Sequence, residues 1–122
     1  MTARVCDLEP AKGLLGLARR AGKVAMGDRA VQQAIRRGRA RLIILAVDAA
    51  ERTRRRYIRL ASLKQLPIAP VASKAALGAV LGSTPKAVCA VCDDNFAQGI
   101  SMALGLTRVQ QEFNSRQTGV NP

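Results

Sequence analysis

The sequence predicts an α/β fold, a three-layer α/β/α sandwich with a mixed sheet of about four strands. Short apolar runs alternate along the chain with amphipathic segments of helical period, which is typical of a sheet covered by helices on both faces. Two of those runs, 42–47 and 87–92, are apolar at every position. A strand of that composition has both faces buried, so it belongs at the centre of a sheet.

The elements follow one another as alternating strands and helices. The periodicity predicts helices at Glu9–Ala21, Asp28–Arg37, Ala50–Gln65, Ser73–Leu81 and Asn95–Leu104. It predicts strands at Val24–Met26, Leu42–Val47, Ile68–Val71 and Ala87–Cys92.

Local signals justify the boundaries of the first elements. Gly22 and Gly38 follow the first and second helices, where a glycine commonly ends a helix. Asp28 is expected to cap the second helix with its carboxylate. In the third helix, the angular positions put Ala50, Tyr57 and Ala61 together on the inner side.

The later elements carry similar signals. Pro67 and Pro70 flank or interrupt the third strand and indicate that it lies at an edge of the sheet. Ser73 is expected to cap the fourth helix. Asn95 and Gln98 have the spacing of a capping box at the start of the last helix.

The 122 residues suffice for one domain. We expect that domain to span 1–106 and the polar segment 107–122 to be a loose tail. The amino-terminal ten residues lack a signal region, and no apolar run approaches the roughly 20 residues of a membrane span. Three cysteines, an odd number, favour a reducing compartment. We therefore expect a cytoplasmic protein.

Positive charge is strongly in excess and unevenly distributed. The chain has 20 Lys and Arg against 8 Asp and Glu, a net charge of +12. The segment from Arg19 to Arg59 holds 13 basic and 3 acidic residues. Such an excess indicates a polyanionic partner, for which RNA, DNA and an anionic membrane are the candidates. The membrane is disfavoured because the arginine-bearing helix lacks large apolar anchors.

Several kinds of chemistry are excluded by composition. The chain has no His and no Trp, which removes histidine-ligated metal sites and Ser-His-Asp or Cys-His catalysis. Cys89 and Cys92 have a C-x-x-C spacing, but on a strand the two thiols point to opposite faces. The acidic pair Asp93 and Asp94 is expected to serve a turn and a helix cap. We therefore expect no enzyme activity, no catalytic residue, no metal and no cofactor.

Two helices carry most of the clustered arginine. On the second helix, Gly27 and Asp28 precede an outer face formed by Arg29, Gln32, Gln33 and Arg36. On the third helix, the outer face is formed by Arg52, Arg55, Arg56 and Arg59. A solvated face is the alternative for any one of these arginines. Arginines beside the free N–H groups of a helix start can contact phosphates and base edges.

An ordered set of motifs resembles one family, the kink-turn RNA-binding ribosomal proteins of the L7Ae and L30e type, and among them the small bacterial YlxQ-type members. The resemblance covers nearly all of 14–100. The matching stretches are Leu14–Lys23, Gly27–Gly38, Leu42–Ala49 and Leu66–Gly78.

The resemblance implies an α/β/α sandwich that binds sharply bent RNA with tandem G·A pairs beside a three-nucleotide bulge. By that resemblance, the amino end of the second helix meets the G·A pairs, and Val71, Ala72 and Ser73 touch the flipped-out bulge base. Asp48 either forms a turn or orients an RNA-contacting arginine. The residues expected to bind RNA are Lys23, Gly27, Asp28, Arg29, Gln32, Gln33, Arg36, Arg37, Asp48, Val71, Ala72, Ser73 and Lys74.

One position departs from the family pattern. Archaeal and eukaryotic members carry an Asn-Glu pair at the start of the second helix, where this chain has Arg29 and Ala30.

We expect a non-enzymatic monomer that associates with the ribosome and not with a membrane, and three hypotheses follow for its role. The first is binding of a structured RNA such as a kink-turn or ribosomal RNA. The others are a sequence-independent ribosome assembly factor and a detached RNA-recruiting domain of an RNA methyltransferase.

Overall fold

The computed structural model describes residues 5–106. A 3₁₀ turn, Glu9–Ala11, leads directly into the first helix. The helices are α1 (Lys12–Arg20), α2 (Asp28–Arg36), α3 (Glu51–Lys64), α4 (Lys74–Val80) and α5 (Asp94–Ala103). The strands are β1 (Val24–Met26), β2 (Leu42–Ala46), β3 (Ile68–Val71) and β4 (Val88–Val91). All the predicted elements are therefore confirmed, with ends that differ from the predicted ones by at most three residues.

The four strands form one mixed sheet in the order β1-β4-β2-β3. β2 and β3 are parallel, whereas β4 runs antiparallel to both β1 and β2. β3 lies at an edge, as Pro67 and Pro70 predict. On the far side of β3, the Cys6 N–H donates to the Pro70 carbonyl (2.7 Å), which ties the amino-terminal segment to the sheet.

Both faces of the central strands are buried, which produces the three layers. Leu42 and Ile44 of β2 pack into one core, with the inner sides of α1, α4 and α5. Ile43 and Leu45 pack into the other core, with α2 and α3. Successive side chains of a strand point to opposite faces, so a continuous apolar run supplies both cores at once. The predicted α/β/α sandwich is confirmed.

The strand directions bring several loops to one edge of the sheet. Because β1 and β2 both run antiparallel to β4, and β3 runs parallel to β2, the three strands end on the same side. The helices that follow them, α2, α3 and α4, all begin there. We call this side the loop edge; it comprises Gly27 and the connections 47–50, 72–73 and 82–87.

Two predicted helix caps, at Asp28 and Asn95, are wrong, and two, at Asp93 and Ser73, are confirmed. Asp28 is the first residue of α2, and Gly27 occupies the N-cap position without a side-chain acceptor. At α5 the cap is Asp93, whose Oδ2 accepts from the Phe96 N–H (2.9 Å), rather than an Asn95 capping box. Ser73 caps α4 as predicted, with its Oγ accepting from the Ala76 N–H (3.0 Å).

The inner side of α3 also differs in part from the prediction. Tyr57 and Ala61 are buried, but Ala50 is the exposed N-cap residue because the helix starts one residue later than predicted. The predicted tail, 107–122, lies outside the described residues and stays a prediction. No helix between residues 5 and 106 combines the length and apolar character that crossing a membrane requires.

Gly78 provides a test of the packing around α4. A Cβ at this position would overlap the Thr84 carbonyl oxygen and lie 2.8 Å from the Pro85 Cα. Backbone atoms cannot move aside as a flexible side chain can, so overpacking here is costly. Gly78→Ala should lower the free energy of unfolding by about 1–3 kcal/mol, measured by urea denaturation.

The matched control is Gly13→Ala on α1, where an added Cβ meets nothing within 4 Å. This variant should keep the wild-type stability or exceed it slightly, since Ala favours helix more than Gly does. Equal stability of the two variants would contradict the tight approach of α4 to the 82–87 connection.

Candidate nucleic-acid interface

The amino end of α2 is an open cluster of backbone donors at the loop edge. Gly27 has φ +88°, a conformation that favours glycine. Its N–H donates to the Val88 carbonyl (3.0 Å), which fixes the end of β1 against β4. No side chain caps the helix. The first-turn N–H groups therefore face outward, at the positive end of the helix dipole.

Asp28 contributes a carboxylate to this helix end, and α3 holds it. The Tyr57 hydroxyl donates to Asp28 Oδ1 (2.5 Å) and lies 3.0 Å from the Asp28 carbonyl oxygen. Arg56 Nη1 lies 3.1 Å from the same Oδ1 and 3.2 Å from Oδ2. The hydrogen bond from Tyr57 is the main cause that holds the pKa of Asp28 below its ordinary value, although partial burial opposes it. Asp28 is thus a charged, paired link between α2 and α3.

Tyr57 is the buried partner in this network. Burial is the main cause that raises the pKa of its hydroxyl, and the hydrogen bond to Asp28 raises it further. A neutral phenol is required to donate to the carboxylate. The sequence places Tyr57 inside α3 correctly, but it does not identify the partner 29 residues away.

Gln32 and Arg36 differ in where they point. Gln32 is half-buried and acts on the pKa of Asp28 and Tyr57, so it only partly takes the predicted outward position. Arg29, Gln33 and Arg36 are exposed along the outer side of α2, as predicted. We call these three residues the α2 ridge.

The arginines of this layer divide into paired and unpaired groups. Arg55 pairs with Glu51 (2.9 Å), and Arg56 pairs with Asp28. Within residues 5–106, no carboxylate lies within 4.0 Å of Arg29 or Arg36. Their guanidinium groups are therefore available to an anionic ligand.

Asp48 joins two connections of the loop edge, the one after β2 and the one before α4. Its Oδ1 accepts from the Lys74 N–H (2.8 Å), so this carboxylate links the β2–α3 connection to the start of α4. Through this hydrogen bond Asp48 positions the loop. Ala72 and Lys74 are exposed, and Ser73 is half-buried.

Val71 does not fit its predicted role. Its side chain is 0% exposed and packs in the core beneath α1, α4 and α5. It cannot touch a flipped-out base in this conformation. The resemblance identifies the segment, but the alternation of side chains along β3 determines which of its residues face outward.

Lys86 and Val47 lie at the loop edge and were missed by sequence reasoning. The Lys86 N–H donates to the Lys74 carbonyl (3.1 Å), which places a second lysine beside the loop. Val47 is 37% exposed where β2 ends. No local sequence signal identifies them, because their position depends on β4 running antiparallel to β1 and β2, which puts its start beside the ends of those two strands.

Lys23 and Arg37 lie away from the loop edge. Lys23 precedes β1, and its carbonyl accepts from the Cys92 N–H (2.7 Å) at the opposite end of the sheet. Arg37 follows the last residue of α2. Both line a groove between β1 and α2. The predicted site is thus divided between the two ends of α2.

The C-x-x-C thiols diverge, as predicted. Cys89 packs in the core beneath α1 and α5, whereas Cys92 packs against the core beneath α2 and α3. Burial raises the pKa of Cys89 to about 12. In the part of the chain that the structure describes, no group of three His, Cys, Asp or Glu residues is placed to hold a metal ion.

The Asp28–Tyr57 link gives a prediction for pH-dependent stability. Tyr57→Phe removes the hydroxyl that Asp28 accepts from, and should lower the free energy of unfolding by about 1 kcal/mol at pH 7. The pKa of Asp28 is lower in the folded state than in the unfolded state, where it is about 4. The ionised carboxylate therefore stabilises the fold above about pH 4, and this stabilisation is lost as the pH falls through the pKa of the folded state. The difference between wild type and variant should therefore shrink in acid.

Urea unfolding at a series of pH values from 7 to 3 measures this difference. Asp28→Asn and the double variant complete a double-mutant cycle, which isolates the coupling of the two side chains. A difference that stays constant down to the lowest pH would show that the carboxylate does not carry the interaction.

Two known proteins are similar to this chain in sequence. The chain is 39% identical over 84 residues to the RNA-binding protein YlxQ of Bacillus subtilis (strain 168), an alignment that covers 69% of this chain and 84% of that protein. It is 31% identical over 90 residues to the RNA-binding protein YlxQ of Enterococcus faecium, covering 74% and 86% respectively.

Solved structures show the same fold. A protein of unknown function from Bacillus halodurans C superposes with a TM-score of 0.74 at 27% identity, covering 81% of this chain and 99% of that one. The Giardia lamblia 15.5kD RNA binding protein superposes with a TM-score of 0.68 at 22% identity, covering 84% and 88%. The model of the Ribosomal protein L7Ae/L30e/S12e/Gadd45 family matches residues 9–101. The chain belongs to that family.

Proposed function

We propose that this protein is a non-enzymatic RNA-binding protein that recognises a sharply bent, kink-turn-like RNA through the loop edge and the α2 ridge. The observation that carries the proposal is the open amino end of α2, with unpaired Arg29 beside it. The 72–74 segment lies at the same edge of the sheet. Two relatives that are 31–39% identical are RNA-binding proteins by name.

The chemistry of the loop edge suits a distorted RNA. Backbone N–H groups of the first turn of α2 and the Arg29 guanidinium are donors only, which match phosphate oxygens and the acceptor edge of guanine. Ala30 supplies no acceptor for a guanine amino group. The proposed recognition therefore depends on phosphate geometry and on donors, as when RNA is recognised through its shape.

The second contact is the 72–74 segment. Ala72 is exposed and small, and the lysines Lys74 and Lys86 flank it. An unpaired base turned out of its helix would rest on Ala72 and the exposed Val47 side chain, while its phosphates meet the lysines. The Asp48–Lys74 hydrogen bond keeps this surface in place without a ligand.

Localisation and assembly belong to the same proposal. Net charge +12 supports association with ribosomal RNA, and the absence of His supports a binding role over catalysis. We propose a cytoplasmic monomer that associates with the ribosome. Sedimentation of lysate fractions and of the purified chain tests both statements.

Substitution of the α2 ridge tests the proposed interface. Arg29→Ala should weaken binding to a kink-turn RNA by about 1–3 kcal/mol, because a directed donor is lost. Arg36→Ala should lower the salt dependence of log K by about 0.9, as expected for one phosphate contact. Fluorescence anisotropy titrations at several salt concentrations measure both effects.

Arg20→Ala is the matched control, since Arg20 is an exposed arginine of α1 on the opposite side of the sheet. It should leave affinity nearly unchanged. Unchanged affinity in both Arg29→Ala and Arg36→Ala would contradict the proposed surface.

A plain duplex of equal length separates specific from general binding. The proposal expects clearly tighter binding to the kinked RNA at physiological salt. Equal affinity for the two RNAs would favour sequence-independent binding. The exposed arginines Arg52 and Arg59 of α3 would then be the first residues to substitute.

A further inference from the structure

A groove between β1 and α2 extends along the helix from Ala30 to Arg37, toward the end far from the loop edge. It encloses about 470 Å³, a volume in the range of small-ligand sites. Its lining residues are Gly22, Lys23, Val24, Ala25, Ala30, Gln33, Ala34, Arg37, Arg39 and Cys92. We call it the β1–α2 groove. Apart from its cations and Gln33, the lining consists of small side chains, which leaves room for a flat group.

The rim of the groove is basic and its cations are unpaired. Lys23, Arg37 and Arg39 are exposed, and no carboxylate of residues 5–106 lies within 4.0 Å of them. Asp94 is held by Arg41 at 2.9 Å. A polyanion is the ligand that such a rim attracts.

Two of these cations, Lys23 and Arg39, act on the Cys92 thiol in the groove, together with Arg41. Burial is the main cause that raises the pKa of this thiol, while the positive charges of Arg39, Arg41 and Lys23 act in the opposite direction. One half-buried atom of the groove thus lies within electrostatic reach of three cations, which come from two separate chain segments. A phosphate at the mouth of the groove would experience the same field.

The edge strand adds backbone groups to the site. β1 pairs with β4 on one side only among the described strands. Lys23 and Gly27 direct their backbone groups toward β4. By the alternation of an antiparallel pair, Val24 and Met26 direct theirs toward the open edge. These N–H and C=O groups offer hydrogen bonds to a base or a ribose.

The cations Arg37 and Arg39 lie at the end of α2 opposite the loop edge, although the lining of the groove reaches back along the helix to Ala30. Nine residues of helix span about 13 Å, and the α2 ridge runs between its two ends. A strand of RNA that leaves the loop edge can follow this ridge and reach the groove within a few nucleotides.

We propose that the β1–α2 groove is a second RNA site, which binds one nucleotide of a single-stranded segment and holds the phosphates on either side of that nucleotide with Lys23, Arg37 and Arg39. The identity of the ligand as RNA depends on the proposed function, but the location does not. A double helix is too wide to enter a groove of this volume, whereas one nucleotide fits. The lining has no aromatic ring, so base stacking contributes little and sequence preference is weak.

Tetrauridylate, a single strand that cannot form a kink-turn, is the probe. Titration of the full chain followed by amide NMR should shift the resonances of 23–25 and Cys92. Arg37→Gln combined with Arg39→Gln should weaken binding about tenfold and lower the salt dependence of log K by about 1.4, because each single-strand phosphate contact contributes about 0.7.

The control is Lys12→Gln combined with Arg20→Gln, which removes two exposed charges from α1 on the opposite side of the sheet. It should keep most of the affinity for tetrauridylate. If both double variants weaken binding equally, or if the shifted amides lie only at the loop edge, the groove is not the site and the proposal is overturned.

Three further titrations distinguish the groove from the kink-turn surface and from a pocket for a free nucleotide. A kink-turn RNA with blunt ends should bind the groove variant and the wild type with equal affinity, whereas Arg29→Ala should bind tetrauridylate normally. Failure of kink-turn binding alone would therefore leave the groove proposal standing. Uridine monophosphate should bind at least tenfold more weakly than tetrauridylate, and equal affinity would assign the groove to a free nucleotide and overturn the proposal.

Discussion

The common direction of β1, β2 and β3 is the constraint on which the remainder of the structure depends. β4 lies between β1 and β2 and runs against both, so the three strands end at one edge and α2, α3 and α4 start there. Reversal of any one strand would remove its loop from this edge. The apolar composition of β2 and β4 maintains the arrangement, because each strand contributes side chains to both cores. The two buried central strands, β2 and β4, thus bring polar loops together, although no local sequence signal indicates that these loops are neighbours.

The charged residues of the α2 and α3 layer have two different roles. Asp28 and Arg56, with Tyr57, join the two helices and compensate one another. Arg29 and Arg36 have no carboxylate partner among residues 5–106 and face solvent. The net charge of the chain therefore does not show which arginines are free to bind an anion and which are neutralised within the protein. Pairing within the protein removes the carboxylate at the helix start from competition with a ligand, and the remaining donors suit an anion.

The sequence predicted the fold well because the signals involved are local. The apolar run at 42–47 and the glycines after α1 and α2 define their elements without reference to distant residues. The site was predicted less completely, since the face of each residue depends on tertiary packing. Val71 belongs to the expected segment but points into the core, and Asp28 bonds to Tyr57 instead of capping its helix. The β1–α2 groove was not predictable, because it needs the pairing of β1 with β4 to bring Cys92 beside Lys23.

Hydrogen–deuterium exchange of the full chain, with and without a kink-turn RNA, tests the central claim most directly. The uncapped amides of 28–30 have no acceptor from a capping side chain, so they should exchange rapidly in the unbound protein. On RNA binding, protection should increase at 28–30 and at 72–74, while α1 and α5 on the opposite face stay unchanged. Protection confined to α3, or exchange at 28–30 that is the same with and without RNA, would contradict the account.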